Sequence, residues 1–312
     1  MIKKRSTQSQ RSSLTPIARS SQSTRPSILA PILSRGGPAM MPAGSTPVPS
    51  EDGLPVDVLL DADETSERIF IAARVALSQS RLGDRCPTYL SALEAALQDE
   101  PPYGTRAYAA AYRGASQSRQ WLATSLITNA EREGDGATRL WSMAACAEEG
   151  EEQHLLKRHA VEESGHALFY LKLLDLTFPG AVSPAFRMEL RQLSPGYSMP
   201  QSLFVVEGSP YGRPPTVDDF IQMNIAEIRT TIHHLLQRDA LSAHCPPESL
   251  PQVVKLLDTL LRDELSHVAY TGMLIERHAA RIAAGKIHDL FRKRFHDFNE
   301  ITLQELDKKV FD

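Results

Sequence analysis

Two short motifs in the chain combine residue types that bind metal ions. Each places a glutamate three residues before a histidine: Glu163 with His166, and Glu264 with His267. Side chains three residues apart on an α-helix lie on the same face, about one turn apart, so a carboxylate and an imidazole at this spacing can reach one ion. Pairs of this kind supply ligands to metal sites inside helical bundles. The two motifs are therefore candidate metal ligands.

Both motifs interrupt apolar stripes that are predicted to face a protein core. Val253, Leu257 and Leu260 precede Glu264 at steps of four and three residues, which is the period of a buried helix face. Glu163 continues an equivalent stripe on its own helix. A carboxylate on such a face is costly unless it is paired, protonated or bound to a metal. We therefore favour a metal site over hydrogen-bonded Glu–His pairs without metal.

A further carboxylate is expected from the helix that pairs with each motif. In two antiparallel helices joined by a short turn, facing residues lie equally far from that turn. Glu227 and Glu264 meet this condition about residues 243–248, where two consecutive prolines must end a helix. Glu227 is thus the predicted partner of the second motif.

Two glutamates compete to be the partner of Glu163. Glu131 and Glu133 both lie opposite it across a turn predicted at residues 146–150. Glu133 belongs to an apolar stripe of its helix, whereas Glu131 lies off that stripe. We predict Glu133 as the ligand and keep Glu131 as the alternative.

Two further histidines are possible ligands. His159 lies four residues before Glu163 on the same stripe, a position that suits a hydrogen-bond partner of a ligand as well as a ligand itself. His234 lies seven residues after Glu227 and reaches the same helix face. Histidine is frequent in this segment, with His233 adjacent, so spacing alone does not decide its role.

The segments that must position these motifs are helical in pattern almost throughout. Helices are predicted near 63–82, 87–99, 105–146, 150–178, 217–243, 248–281 and 286–310. Residues 179–216 contain seven prolines and are predicted to connect two helix pairs. Two pairs with short internal links and one long crossover are the layout of a ferritin-like four-helix bundle. We predict this all-α fold, with additional N-terminal and C-terminal helices, a ligand bundle at about 105–281 and a single domain over 55–312.

The first 54 residues are expected to be a separate tail. Residues 1–50 are rich in Ser and Pro and contain seven basic residues but no Asp or Glu. Such a segment cannot bury enough apolar surface to fold, so we predict a disordered basic tail over 1–54. An organellar transit peptide is the alternative, because these are also rich in Ser and poor in acid.

Composition excludes several classes of protein. The chain has 34 Lys and Arg against 38 Asp and Glu, and because the tail holds only basic residues the remainder is acidic, which argues against nucleic-acid binding. Its three cysteines form no CxxC pair, which argues against a disulfide or zinc scaffold and favours the reducing cytoplasm. No apolar run approaches the roughly 18 residues of a membrane span, so no membrane partner is expected.

The order Glu133, Glu163-x-x-His166, Glu227, Glu264-x-x-His267 resembles the non-haem di-iron carboxylate proteins of the ferritin-like superfamily, in its oxygenase and N-oxygenase branch. The resemblance covers about residues 120–280. It implies two iron ions, with manganese as the alternative metal, dioxygen as co-substrate and an external electron donor such as a reductase. It further implies an oxygenase or oxidase that oxidises a C–H or amine N–H group of a small molecule, and we expect a homodimer.

Other functions fit parts of the pattern. A ferritin-like iron store needs only the ligand bundle, and a rubrerythrin-like peroxide-handling protein would normally carry a CxxC…CxxC electron entry, which this chain lacks. A metal-free helical scaffold is the remaining alternative. The extra helices and the proline-rich crossover would cover a pocket, which favours an enzyme acting on a small molecule.

Overall fold

The computed structural model describes residues 56–99 and 101–307. The predicted tail, residues 1–54, lies outside the described residues. Over the described part the chain is α-helical without a β-strand, so the all-α prediction is confirmed there. None of the described helices is long and apolar enough to cross a membrane.

The described residues form ten α-helices. In chain order they are α1 (Val56–Asp61), α2 (Ser66–Gln79), α3 (Pro87–Ala96), α4 (Arg106–Ser116), α5 (Arg119–Cys146), α6 (Glu151–Thr177), α7 (Pro184–Leu190), α8 (Val217–His244), α9 (Leu250–Ala279) and α10 (Ala284–Asp307).

Four long helices pack as two pairs. α5 lies along α6 and α8 lies along α9, and the links of residues 147–150 and 245–249 are so short that the helices of each pair run antiparallel. α6 and α9 bring the two pairs together, while α2, α3 and α10 cover the α8–α9 pair. Leu, Ile, Val and aromatic side chains fill the interior on both sides of the α6–α9 contact.

The prediction of one helix over 105–146 is wrong. The chain breaks at Gln117 and Ser118, where the Ser118 side chain accepts a hydrogen bond from the backbone N–H of Trp121 and so begins α5. Capping of this kind satisfies a backbone donor that the new helix leaves unpaired. α4 consequently turns away and packs against α8 as well as α5.

The long crossover between α6 and α8 is held against α5 and α6. Ser194 Oγ donates to the backbone oxygen of Ser164 over 2.7 Å, and the N–H of Tyr197 donates to Ser164 Oγ over 3.1 Å. The Tyr197 ring stacks on Trp141 with a centroid separation of 4.3 Å. These contacts fix the crossover beside Glu163 on α6.

Gly134 allows the crossover backbone to approach α5. A Cβ added at this position would lie 1.9 Å from the backbone oxygen of Leu193. We expect Gly134→Ala to lower the free energy of unfolding by about 1–3 kcal/mol, because the crossover must move away. Gly114→Ala in α4 is the control: its Cβ would meet nothing within 4 Å, so the better helix former should stabilise by about 0.5–1 kcal/mol. Urea unfolding measures both, and equal effects would contradict the packing role of Gly134.

Candidate metal centre

Four helices converge on one buried cluster of carboxylates and imidazoles. It contains all six predicted ligands and one of the alternatives: Glu133 of α5, His159, Glu163 and His166 of α6, Glu227 of α8, and Glu264 and His267 of α9. Each residue is at most 9% exposed. Burying this many polar and ionisable groups on apolar helix faces costs free energy, which another interaction must offset.

The seven side chains form two overlapping groups, each with ligand atoms within 4.8 Å of one another. One group is Glu133, Glu163, His166 and Glu264, and the other is His159, Glu163, Glu227 and His267. Glu163 is common to both groups. Each of these two donor sets, which share one carboxylate, could hold a metal ion.

Glu264 also faces both groups. Its Oε1 lies 3.5 Å from His166 Nδ1, and its Oε2 lies 3.5 Å from His267 Nδ1. Among the described residues, none offers a hydrogen bond to either of these carboxylate oxygens or to either Nδ1. Buried polar atoms normally have a partner, and four such atoms meeting at one place are the donor set that a metal ion would satisfy.

An acidic residue beside each motif orients the histidine of the other motif. His267 Nε2 donates to Glu162 over 2.9 Å, and His166 Nε2 donates to Asp263 over 3.1 Å. In the neutral form of each ring Nε2 carries the proton, so the Nδ1 lone pair points into the cluster. Sequence reasoning missed Glu162 and Asp263. The signal for them was an acidic residue directly before the glutamate of both motifs.

His159 is placed as a third imidazole donor. Its Nε2 lies 3.0 Å from Glu163 Oε1 and 3.5 Å from Glu227 Oε1. On the other side of the ring, Nδ1 and the Tyr270 hydroxyl are 2.5 Å apart. When Nδ1–H donates to Tyr270, the Nε2 lone pair is directed at the second group.

The other two alternatives lie outside both groups. Glu131 is exposed on α5. His234 Nε2 lies 3.6 Å from Glu264 Oε1, but its Nδ1 accepts from the Gln237 amide over 2.9 Å. Burial lowers the pKa of His234 to about 3. His234 is therefore a neutral ring behind Glu264.

The cluster retains protons when no cation balances its carboxylates. Burial and the charge of Glu163 raise the pKa of Glu133 well above its ordinary value, and burial likewise raises the pKa of Glu264. Burial alone would lower the pKa of His166, but the hydrogen bond to Asp263 and the negative charge of Glu163 outweigh it and raise the pKa to about 10. Crowded buried carboxylates with strongly shifted pKa values are typical of functional sites.

A cavity of about 270 Å³ lies between α5 and α8. Glu133, Glu163 and Glu227 form part of its wall, so it reaches both ligand groups from one side. The remainder of the wall mixes apolar and charged side chains. A concave pocket ending at a cluster of this kind is the usual place for a small ligand.

Comparison of the chain with models of known protein families, with curated proteins and with solved structures finds no match. The class is therefore defined by the geometry alone. Within the described residues this is an all-α protein with a buried carboxylate–histidine centre that could hold a metal ion.

Proposed function

We propose that the chain is a non-haem di-metal carboxylate protein with a ferritin-like four-helix bundle, and that it is an oxygenase or oxidase of a small molecule. The observation that carries the proposal is the pair of overlapping ligand groups that share Glu163. The unpaired buried atoms of Glu264, His166 and His267 support it, since each faces the space between the groups.

The donor set favours iron or manganese. Four carboxylates neutralise two divalent cations, and a set in which oxygen outnumbers nitrogen suits iron or manganese better than zinc. When bound, two ferrous ions supply the electrons that reduce dioxygen and hence the oxidising power for a C–H or amine N–H bond. An external donor must then restore the ferrous state.

The chain's own residues orient the ligands and shape the site. Glu162 and Asp263 hold His267 and His166 in the tautomer that directs Nδ1 inwards. Tyr270 does the same for Nε2 of His159. The cavity between α5 and α8 gives a substrate a route to the centre, which favours catalysis over storage.

Metal content per chain tests the proposal. After anaerobic incubation with ferrous iron and gel filtration, we expect two iron ions per chain, and consumption of dioxygen when a reductant is supplied. Many more ions per chain in a cage-like assembly would favour storage. No bound metal in the folded chain would favour a scaffold, and either result would overturn the proposal.

Metal uptake should release protons. His166 binds metal only as a neutral ring, and its pKa of about 10 means that it is protonated at neutral pH without metal. The raised pKa values of Glu133 and Glu264 act in the same direction, so affinity should fall as the pH is lowered from about 8 to about 6. Calorimetric titration with Mn(II) in buffers of different ionisation enthalpy measures the protons released. Identical heats in all buffers would contradict this expectation.

A further inference from the structure

The residues that line the cavity between α5 and α8 restrict which ligands it can bind. That the ligand is a substrate rests on the proposed function. Gly136 of α5 lies beside the ligand cluster, where an added Cβ would make an ordinary van der Waals contact of 3.7 Å with Glu163 Oε2. A longer side chain at this position would project toward Glu163. Gly136 therefore leaves the space next to the shared carboxylate open to a ligand.

Guanidinium groups dominate the charge of the wall outside the ligand cluster. Three arginines and two aspartates line it: Arg132, Arg139, Arg229, Asp135 and Asp219. Asp219 is already neutralised, because Arg213 donates to both of its oxygens over 2.7 and 2.8 Å and it also accepts from Thr216. With metal balancing the clustered glutamates, the wall retains an excess of positive charge.

Arg139 is the guanidinium best placed to hold a ligand. It is exposed on α5, and no ion-pair partner for it occurs among the described residues. By contrast, Arg229 donates from Nε to Thr302 Oγ1 over 2.9 Å. Arg139 follows Glu133 by six residues, which is about 9 Å along the helix, with Gly136 halfway between them.

The cavity wall also contains apolar side chains. Leu140 and Met143 of α5 and Met223 of α8 line the same cavity, and methionine side chains adapt to ligands of irregular shape. Leu140 and Met143 follow Arg139 on α5, so they border the cavity beyond Arg139, and a molecule that reaches from Arg139 to Glu133 would pass Gly136.

We propose that the substrate is a small organic anion. Its carboxylate binds the Arg139 guanidinium, and its short apolar body extends past Gly136 toward Glu133 and Glu163, which places the far end of the molecule at the metal centre. A planar guanidinium recognises a carboxylate through two parallel hydrogen bonds, so the anionic end also sets the orientation of the substrate.

Three probes of matched shape test this inference: 3-phenylpropanoate, 3-phenylpropanamide and 3-phenylpropylamine. They are titrated calorimetrically into the full chain, whose Mn(II) content is measured first. We expect the anion to bind at least about ten-fold more tightly than the other two. Arg139→Gln should remove this preference and Arg139→Lys should restore part of it. Arg281→Gln, which changes an exposed arginine outside the cavity, should leave it intact.

Three results would overturn the inference. They are failure of 3-phenylpropanoate to bind, equal or tighter binding of the amide or amine, and an anion preference that survives Arg139→Gln. The last result would place the carboxylate on the metal ions instead of on Arg139. The metal content of the same samples tests the proposed function separately, so a metal-loaded chain that prefers the amine would contradict only the substrate class.

Discussion

Glu163→Ala should abolish binding of both metal ions, whereas Glu133→Ala should leave one ion bound. The difference follows from the ligand groups, because Glu163 belongs to both and Glu133 belongs to one. Loss of residues that merely hydrogen-bond to ligands costs about 10–100-fold in metal affinity, and loss of a shared ligand should cost at least as much at each position. Mn(II) content after gel filtration, measured by atomic emission, gives the stoichiometry.

A variant in the other ligand group should give the same metal stoichiometry as Glu133→Ala. Glu227→Ala should also leave one ion bound, held by the group that contains Glu133. Glu131→Ala is the matched control, since Glu131 is exposed on the same helix as Glu133 and lies outside both groups. Its stoichiometry should equal that of the unmodified chain. If Glu163→Ala lost no more metal than Glu133→Ala, the shared carboxylate would be disproved.

The face of each candidate ligand could be predicted because helical periodicity is rigid. Residues two apart on a helix point about 200° apart, so a stripe that buries Glu133 must expose Glu131. Equal distance from the turn placed Glu227 opposite Glu264 for a similar reason: the link of residues 245–249 is too short to allow a shift of the two helices.

Contacts between helices that are not joined by a short turn could not be predicted in this way. Glu162 and Asp263 each serve a histidine on the other helix, and such a contact depends on how α6 and α9 are rotated against each other. The same holds for His159, whose Nε2 is directed by Tyr270 of α9. Sequence spacing places a side chain on a face, whereas packing decides which atom it presents.

The break between α4 and α5 had a weaker sequence signal. Ser118 caps α5 through one side-chain hydrogen bond, but serine is also tolerated inside helices, and the apolar pattern runs on across the break. Gly134 was similarly ambiguous, because glycine weakens a helix and also permits close packing. The position of Leu193 shows that it serves packing.

Glu264→Met should stabilise the metal-free protein while reducing the stabilisation that metal provides. The Glu264 carboxyl is fully buried and has no hydrogen bond to either oxygen. Burial raises its pKa, and the nearby charges of Glu163 and Glu227 act in the same direction. A buried polar group without a hydrogen-bond partner costs about 1–3 kcal/mol, and an apolar side chain of similar volume removes this cost. Each kcal/mol corresponds to about 2–4 °C in the unfolding midpoint of a domain of this size.

Bound metal should reverse the order of thermal stability, so that the unmodified chain unfolds at a higher temperature than Glu264→Met. An ion that binds only the folded state stabilises it by about 2.7 kcal/mol at a concentration of 100 times its Kd, so Mn(II) should raise the unfolding midpoint of the unmodified chain by several degrees. Glu264→Met removes a carboxylate that faces both His166 and His267, and the midpoint of this variant should rise less with Mn(II) than that of the unmodified chain. Thermal unfolding of both proteins, once with Mn(II) and once with a chelator, gives the four unfolding midpoints.

Asp258 of α9 is a buried acid outside both ligand groups. A variant at Asp258 can therefore be compared with Glu264→Met to distinguish a structural acid from a metal ligand. Asp258 is as deeply buried as Glu264, but it pairs with the permanent cation Arg238 at 2.8 Å. Asp258→Ala removes the carboxylate that pairs with this buried cation and should destabilise by about 3–5 kcal/mol with or without metal, while the midpoint increase caused by Mn(II) persists. If Glu264→Met behaved like Asp258→Ala, Glu264 would be a structural residue. If Glu264→Met stabilised the metal-free protein while Asp258→Ala destabilised it, the destabilising effect of Glu264 would be one that a metal ion offsets.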